Sequence, residues 1–388
     1  MDSEPQNNRM DRHQSNHRAR NIVLIVLAVV VLSICGYGYH VFSSVERSTS
    51  KMYSASGLKK SRNVSQLIKE QKPISILLLG TDVGALGRNS KVWAGGRTDS
   101  MMLVTINPKT KTTTMMSIPR DSLAVISGHE NQFPTKINAA YYFGQTKSTI
   151  ATVQNMFNVP VDYYGLLNMG GMEKLVNEVG GVDIVPPLTF TYEKQHFTKG
   201  KEIHVNGSQA LKFTRMRYQD PESDYGRTLR QRIVIQALLK KGGKLNNLLN
   251  AQFVDSLASQ SRTDLSLSDL MELAKSYRTA TKHVISDHAQ GVSDDIAGQS
   301  FEILPQTEKQ RVTNELRKQL DMSAEKTGPR FGEAVPAGME AYVPAADFGD
   351  TADTQSTWGH DTNTSSQYNK AYDRDNTGDL NPNYDANN

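Results

Sequence analysis

Five arginines stand within eighteen residues of this chain: Arg215, Arg217, Arg227, Arg230 and Arg232, in the segment Phe213-Thr-Arg-Met-Arg-Tyr-Gln-Asp220-Pro-Glu-Ser-Asp224-Tyr-Gly226-Arg-Thr-Leu-Arg-Gln231-Arg232. A guanidinium is a planar fork of donors that matches the oxygens of a phosphate. On a helix starting near Gly226, Arg227, Arg230 and Gln231 share a face at i, i+3 and i+4. The positive end of the helix dipole then points at the same spot. A solvated helix paired to Asp220 and Asp224 is the competing reading, and charge runs usually have that role. Alternating Arg-x-Arg before the turn and a glycine at the turn count against it.

Four further segments carry chemistry-bearing types. Leu79-Gly80-Thr81-Asp82 sets a carboxylate at the carboxyl end of an apolar run, where ligands gather in α/β sheets. Gly95-Gly96-Arg97-Thr98-Asp99-Ser100 sets a second carboxylate before another apolar run. Two carboxylates with open coordination are a usual way to hold Mg²⁺ (or Mn²⁺) on substrate phosphates. In Ser117-Ile118-Pro119-Arg120-Asp121-Ser122 the proline stiffens the turn that carries Arg120. Lys136-Ile137-Asn138 could add a point charge through Lys136, with Asn138 as a helix N-cap. An acid pair beside an arginine cage fits a diphosphate better than a single phosphate. The chain contains no G-x-S-x-G elbow, no H-E-x-x-H and no P-loop.

The elements that must position these groups can be read from pattern. Ile74–Gly80 is an apolar run suited to a buried strand. Met101–Ile106 and Thr112–Ile118 flank Asn-Pro-Lys-Thr-Lys, which predicts a hairpin. Helical spacing is predicted over 138–143, 147–157, 169–179, 207–216 and 226–240, and strands over 161–167 and 182–185. Asp264–Asp269 opens another helix, with Ser266 or Ser268 as cap. Mixed strands and helices of this kind predict an α/β layered domain.

Composition bounds the rest. The formal net charge of +4 over 388 residues is too small to suggest a nucleic-acid partner. A single cysteine, Cys35, excludes an intramolecular disulfide. Ile22–Phe42 is nearly free of charge and has the length of a bilayer span. No A-x-A-like cleavage site follows it, so an uncleaved signal anchor is expected rather than a signal peptide. Arginines and lysines are balanced across it and do not set its orientation. From Glu325 onward eleven acidic residues face four basic ones with no apolar period, which predicts a disordered tail. The expected organisation is therefore a short tail over 1–21, an anchor over 22–42, a stalk over 43–72, a catalytic domain over 73–322 and an acidic tail over 323–388.

Taken in order, LLLGTD, GGRTDSMMLVTINP, MMSIPRDS, KINAAY, VDYYGLLNMGG, LVNEVGGVDI and RMRYQDPESDYGRTLRQR resemble the LytR-CpsA-Psr family of Gram-positive bacteria, over Ile74 to Leu239. The resemblance implies a three-layer α/β/α domain with an apolar tunnel, outside the cell and held by one membrane helix with the N-terminus in the cytoplasm. It implies transfer of an anionic glycopolymer, of the wall teichoic acid or capsular polysaccharide type, from a polyprenyl-pyrophosphate carrier to peptidoglycan. The acceptor implied is the C6 hydroxyl of N-acetylmuramic acid, and the new bond a phosphodiester. By motif, Asp82 and Asp99 match metal-binding carboxylates and Arg120 a catalytic arginine. Arg215, Arg217, Arg227 and Gln231 match pyrophosphate contacts, as does Lys136, while Arg97 and Asp224 match supporting charges. Asp99 is a candidate general base. A polyprenyl-pyrophosphate hydrolase with the same cage is the first rival. The second is a membrane-bound transcriptional regulator, whose segment of about 21 residues is too short to fold and read a groove.

Overall fold

The computed structural model describes residues 49–81, 96–241 and 257–343, together with Ser43, Glu46 and Arg47. Asp82, the run Ile22–Phe42 and the stretch 344–388 lie outside the described residues. Among the described residues no helix is long and apolar enough to cross a membrane.

A six-stranded mixed sheet organises the chain. It is built from β1 (Ile74–Thr81), β2 (Thr98–Asn107), β3 (Thr112–Ile118), β6 (Tyr163–Asn168), β11 (Ser261–Thr263) and β12 (His283–His288). The order is β11-β6-β1-β2-β3-β12, with β1–β6 and β3–β12 parallel and the other pairs antiparallel. The predicted hairpin is β2–β3, and its register runs from Met101↔Ile118 to Asn107↔Thr112.

Helices cover both faces. Leu77, Leu79, Leu103 and Met116 point to one side, where they meet Ile150, Val153 and Phe157 of α2 (Ala140–Phe157) and Val312 and Leu316 of α7 (Gln306–Gln319). Met102, Val104 and Met115 point to the other, against Ile235 and Leu239 of α5 (Ser223–Lys241). The alternation follows from the two-residue period of a strand buried on both faces. Asn168 caps α3 (Met169–Glu178), and Ser266 caps α6 (Leu267–Ser276), so the first of the two serine candidates has the role. The helices predicted over 138–143 and 147–157 are one element, kinked where Gly144 and Gln145 leave helical geometry.

A second core lies beside the sheet. The short strands β7 (Val182–Ile184), β8 (Phe190–Tyr192), β9 (Gln195–Phe197) and β10 (Ile203–Val205) pack with α3, α4 (Gly207–Arg215) and α5. Phe190, Phe197 and Phe213 meet at its centre, with ring centroids 4.8–6.0 Å apart. The remaining hairpins are β4 (Leu123–Ala124) with β5 (Thr135–Lys136), and β13 (Val292–Ile296) with β14 (Gln299–Ile303).

Two boundaries differ from expectation. The segment read as a stalk is part of the domain. Val64 and Ile68 of α1 (Val64–Lys69) are buried against Tyr163, Leu265 and Tyr277. Lys60 pairs with Asp264 at 3.0 Å, and Arg62 pairs with Asp162. At the other end, residues 323–343 are packed, not disordered. Phe331 of α8 (Phe331–Ala334) is buried against Phe133, and Thr327 bonds Thr313 at 2.7 Å. A few isolated apolar residues anchor this acidic stretch, and average composition does not register them.

Candidate active site

The site grows from irregularities at one end of the sheet. Gly80 pairs with Ser100 and Thr81 with Thr98, so Asp99 is the extra residue of a bulge. Bulges re-aim side chains, and Asp99 turns its carboxylate into a cavity of about 370 Å³. A Cβ on Gly80 would stand 3.0 Å from Ser100 Cβ, so glycine permits the close crossing at the bulge.

Arg120 sits in the tight turn that ends β3. Ser122 donates to Pro119 O through both N–H (3.1 Å) and hydroxyl (2.7 Å), which fixes the turn. Arg120 Nη1 is 2.5 Å from Asp99 Oδ1, and its Nε is 3.5 Å from Asp121 Oδ2. The β4–β5 hairpin brings Lys136 Nζ to 3.0 Å from Asp121 Oδ1. Burial works against the Arg120 charge, but Asp224, Asp121 and Asp99 outweigh it and raise the arginine above its ordinary value.

Arg217 and Arg227 arrive from a loop and a helix that a buried arginine ties together. Arg230 is fully buried. It donates to Phe213 O at 3.0 Å and to Met216 O, and pairs with Asp220. That grip holds the loop 216–222 on α5. Gly226 makes it possible, since a Cβ there would lie 1.9 Å from Asp220 Oδ2. Arg227 Nη2 reaches Asp224 Oδ1 at 2.5 Å and donates to Asp99 O at 3.2 Å. Gln231, one turn on, accepts from Ser100 Oγ at 2.8 Å. Burial, and then the neighbouring Arg120 and Arg217, lower the Arg227 pKa against the pull of Asp224 and Asp99.

Arg97, Asp99, Arg120, Asp121, Lys136 and Arg217 thus line one cavity, with cations from the residue before β2, the β3 turn, β5 and the 216–222 loop. Nε of both Arg120 and Arg227 is buried without a hydrogen-bond partner. The LytR_cpsA_psr family model matches residues 39–318, close to three quarters of the chain. The chain belongs to the LytR-CpsA-Psr family.

Its relatives are similar over nearly their whole length. The polyisoprenyl-teichoic acid–peptidoglycan teichoic acid transferase TagU of Enterococcus faecalis is 37% identical over 301 residues, 77% of this chain and 96% of TagU. A solved structure of TagT bound to LIIa-WTA has a TM-score of 0.57 at 30% identity, covering 69% of this chain and 98% of that one. A solved Enterococcus faecalis protein described as a transcriptional regulator has a TM-score of 0.58 at 32% identity, covering 66% and 91%.

In this family member the structure sorts the expected site residues. Arg97, Asp99, Arg120, Lys136 and Arg217 line the cavity, and Asp224, Arg227 and Gln231 stand around its wall. Arg215 does not join them: at the end of α4 it pairs with Glu193 at 3.4 Å and lines neither described cavity. Arg230, expected on the same face as Arg227, is the loop's anchor instead. Asn138 is not a helix cap. The residue before α2 is Ala139, and Asn138 lines the cavity with its Oδ1 unpartnered.

Two further residues stand nearby: Arg232, the last of the five clustered arginines, and His288, which carries no sequence signal. Arg232 is buried and donates to Ser117 Oγ at 2.7 Å and Ser286 Oγ at 2.8 Å; burial lowers its pKa to about 10. His288 is buried beside Tyr225, ring centroids 5.0 Å apart. Among the described residues no group of three or more His, Cys, Asp or Glu could hold a metal by itself. Asp99 and Asp121 present partly exposed carboxylates to the cavity, both already paired to Arg120, which fits a cation bound chiefly by substrate phosphates.

Proposed function

We propose that this protein is a phosphotransferase that moves an anionic glycopolymer from a polyprenyl-pyrophosphate carrier to peptidoglycan. The observation that carries the reading is the convergence of Arg97, Arg120, Lys136 and Arg217 on one cavity, with Arg227 behind it. Several cations facing a small space suit a ligand with several negative oxygens. TagU and TagT, by their names and bound ligand, make a teichoic acid the favoured cargo and peptidoglycan the favoured acceptor.

In phosphoryl transfer the protein's part is mainly positioning and charge stabilisation. Arg120, fixed by its turn, and Arg217, fixed by its loop, hold the non-bridging oxygens. Arg227 adds a fixed positive charge in a partly buried place, where its attraction for the phosphate oxygens grows as negative charge builds on them in the transition state. The acceptor C6 hydroxyl attacks the phosphorus that carries the glycopolymer. The bond from that phosphorus to the bridging oxygen breaks, and polyprenyl phosphate leaves with the electron pair. In this reading Asp99, whose carboxylate lines the cavity beside Arg120, is the candidate to take the hydroxyl proton. Mg²⁺ or Mn²⁺, held by Asp99 and, by motif, Asp82, would neutralise charge on the leaving phosphate. Ile22–Phe42 would anchor the chain with the domain outside the cell.

The test is a reconstituted reaction with lipid-diphosphate glycan and uncrosslinked peptidoglycan. Polymer bonded to the wall glycan is expected; release of polymer at the same rate without acceptor would replace transfer by hydrolysis.

A further inference from the structure

Two walls of the diphosphate cavity lie outside the central sheet. One is the β4–β5 hairpin, which carries Lys136; the other is the β13–β14 hairpin, whose Ser300 lines the cavity. Phe301 and Glu302 line a smaller cavity, of about 240 Å³, that adjoins the first through Asp121, Arg217 and Ser300. Both hairpins are two-stranded ribbons. Such ribbons are marginal in water unless something packs on them, so the shape of the site depends on what does.

One apolar cluster serves both. Leu123 of β4, Phe133 shortly before β5, and Phe301 and Ile303 of β14 are buried in it together with Phe331 of α8. The rings of Phe133 and Phe331 have centroids 6.1 Å apart. Ile296 of β13 packs on the cluster, and so do Val335, Met339 and Val343 from the end of the described chain. The cluster reaches the cavity through Phe301. Lys136 Nζ lies 5.6 Å from its ring centroid, within cation–π range, and 3.0 Å from Asp121 Oδ1. Glu302 N–H donates to Asp121 O at 3.0 Å, which ties β14 to the Arg120 turn.

Phe331 is itself held from the main core. Thr327 N–H donates to Gln310 Oε1 at 2.9 Å, and Gln306 Nε2 donates to Gly328 O at 3.1 Å, both on α7. The buried Lys309 donates to Pro329 O at 3.2 Å and sets its ammonium 4.9 Å from the Phe331 ring centroid. A Cβ on Gly328 would stand 1.7 Å from Asn155 O, so glycine lets the segment cross α2 closely. The segment therefore links two core helices to two hairpins of the site. It lies past residue 318, where the family's match to this chain ends.

We infer that residues 325–343 are a brace for the diphosphate cavity, and that Phe331 is a positioning residue acting through Phe133 and Phe301 on Lys136 and the β13–β14 wall. The inference rests on the phosphotransferase reading for the ligand, and on the contacts alone for the brace.

The test uses the full chain, Phe331→Ala, the conservative Phe331→Leu, and Val64→Ala, which opens a buried contact at the other end of the sheet. Lys136→Ala and its double variant with Phe331→Ala complete a cycle. Binding of inorganic pyrophosphate is read by calorimetry, KM and kcat from transfer, and hydrogen exchange on the unliganded protein, all below the melting temperature of every variant. Phe331→Ala should weaken pyrophosphate binding and raise the donor KM roughly threefold or more, part of the worth of one charge-assisted contact. Phe331→Leu should restore most of that loss, and Val64→Ala should bind as the wild type does. With Lys136 gone, the further loss from Phe331→Ala should largely vanish. Amides of 123–136 and 292–303 should exchange faster in Phe331→Ala and not in Val64→Ala. A residue that only adds stability would cost the same affinity in both backgrounds or none in either. That result, or unchanged exchange in the two hairpins, overturns the brace. Should Phe331→Ala not fold, Val335→Ala carries the same cycle with smaller effects. A wild type that neither binds pyrophosphate nor transfers, with the expected exchange pattern, keeps the brace and rejects the phosphotransferase.

Discussion

Arg227 Nη2 stands 2.5 Å from Asp224 Oδ1, and that same carboxylate oxygen lies 3.9 Å from Nε of both Arg120 and Arg217. One carboxylate thus gathers three arginines from a turn, a loop and a helix. Asp224 holds the cage together, while the arginines are the groups that meet the diphosphate.

Asp224 and Arg227 should therefore be coupled. Arg227→Ala is expected to lower the transfer rate roughly tenfold or more, since a charge-assisted contact is worth about 1.5–3 kcal/mol. Asp224→Asn should cost less. The double variant should fall short of the product of the two, because both act through one interaction. Initial rates on the four proteins close the cycle.

Arg230 should behave as a structural residue. Its guanidinium is enclosed and pairs with Asp220, and removing one partner of a buried pair costs about 3–5 kcal/mol. Arg230→Met and Gly226→Ala are both expected to lower the melting temperature. Arg227→Lys, in contrast, should leave it nearly unchanged. Thermal scans of the three variants separate the roles.

The C-terminal boundary can be checked by truncation. A chain ending at Val343 should keep its stability and its activity. One ending at Met322 loses Phe331 from its contact with Phe133, and burying a phenyl ring is worth about 3–5 kcal/mol. Equal melting temperatures for the two truncations would contradict the packing.

His288 makes stability depend on pH. Burial, and then the charge of Arg232, lower its pKa below the ordinary histidine value, against the pull of Asp287 and Glu308; Tyr225 packs on its ring. The unfolded chain then binds more protons than the folded one between the lowered value and about 6.5, so stability falls as the pH drops through that window. His288→Asn should flatten this part of the profile. Denaturant unfolding of both proteins from pH 7.5 down to pH 5 measures it.

How far the sequence carried depended on whether a signal was local. The hairpin β2–β3, the cap Ser266 and the strand ending in Gly80-Thr81 are set by neighbouring residues, and pattern reveals them. Arg230 and Arg227 stand on one helical face, yet only one faces the cavity. Which one does so is decided by a loop that folds back onto Arg230, a tertiary fact without a local mark. Asn138 looked like a cap because caps and cavity linings use the same residue type. His288 and Glu302 come from much later in the chain, about 170 to 200 residues from Asp99 and Arg120 along the sequence. No spacing rule links them, and only the parallel pairing of β12 with β3 brings His288 opposite Ser117. The acidic stretch after Glu325 misled because average composition outweighed the few residues that pack, among them Thr327 and Phe331.

The cage itself is the central claim, and Arg120→Lys and Arg227→Lys test it most directly. Lysine keeps the charge but cannot make two parallel contacts to one phosphate. The expected result is a loss of roughly tenfold or more in transfer rate for each variant, at a melting temperature close to that of the wild type. Near-normal transfer by both variants would mean that these arginines form only ion pairs, and that the diphosphate does not bind where they converge.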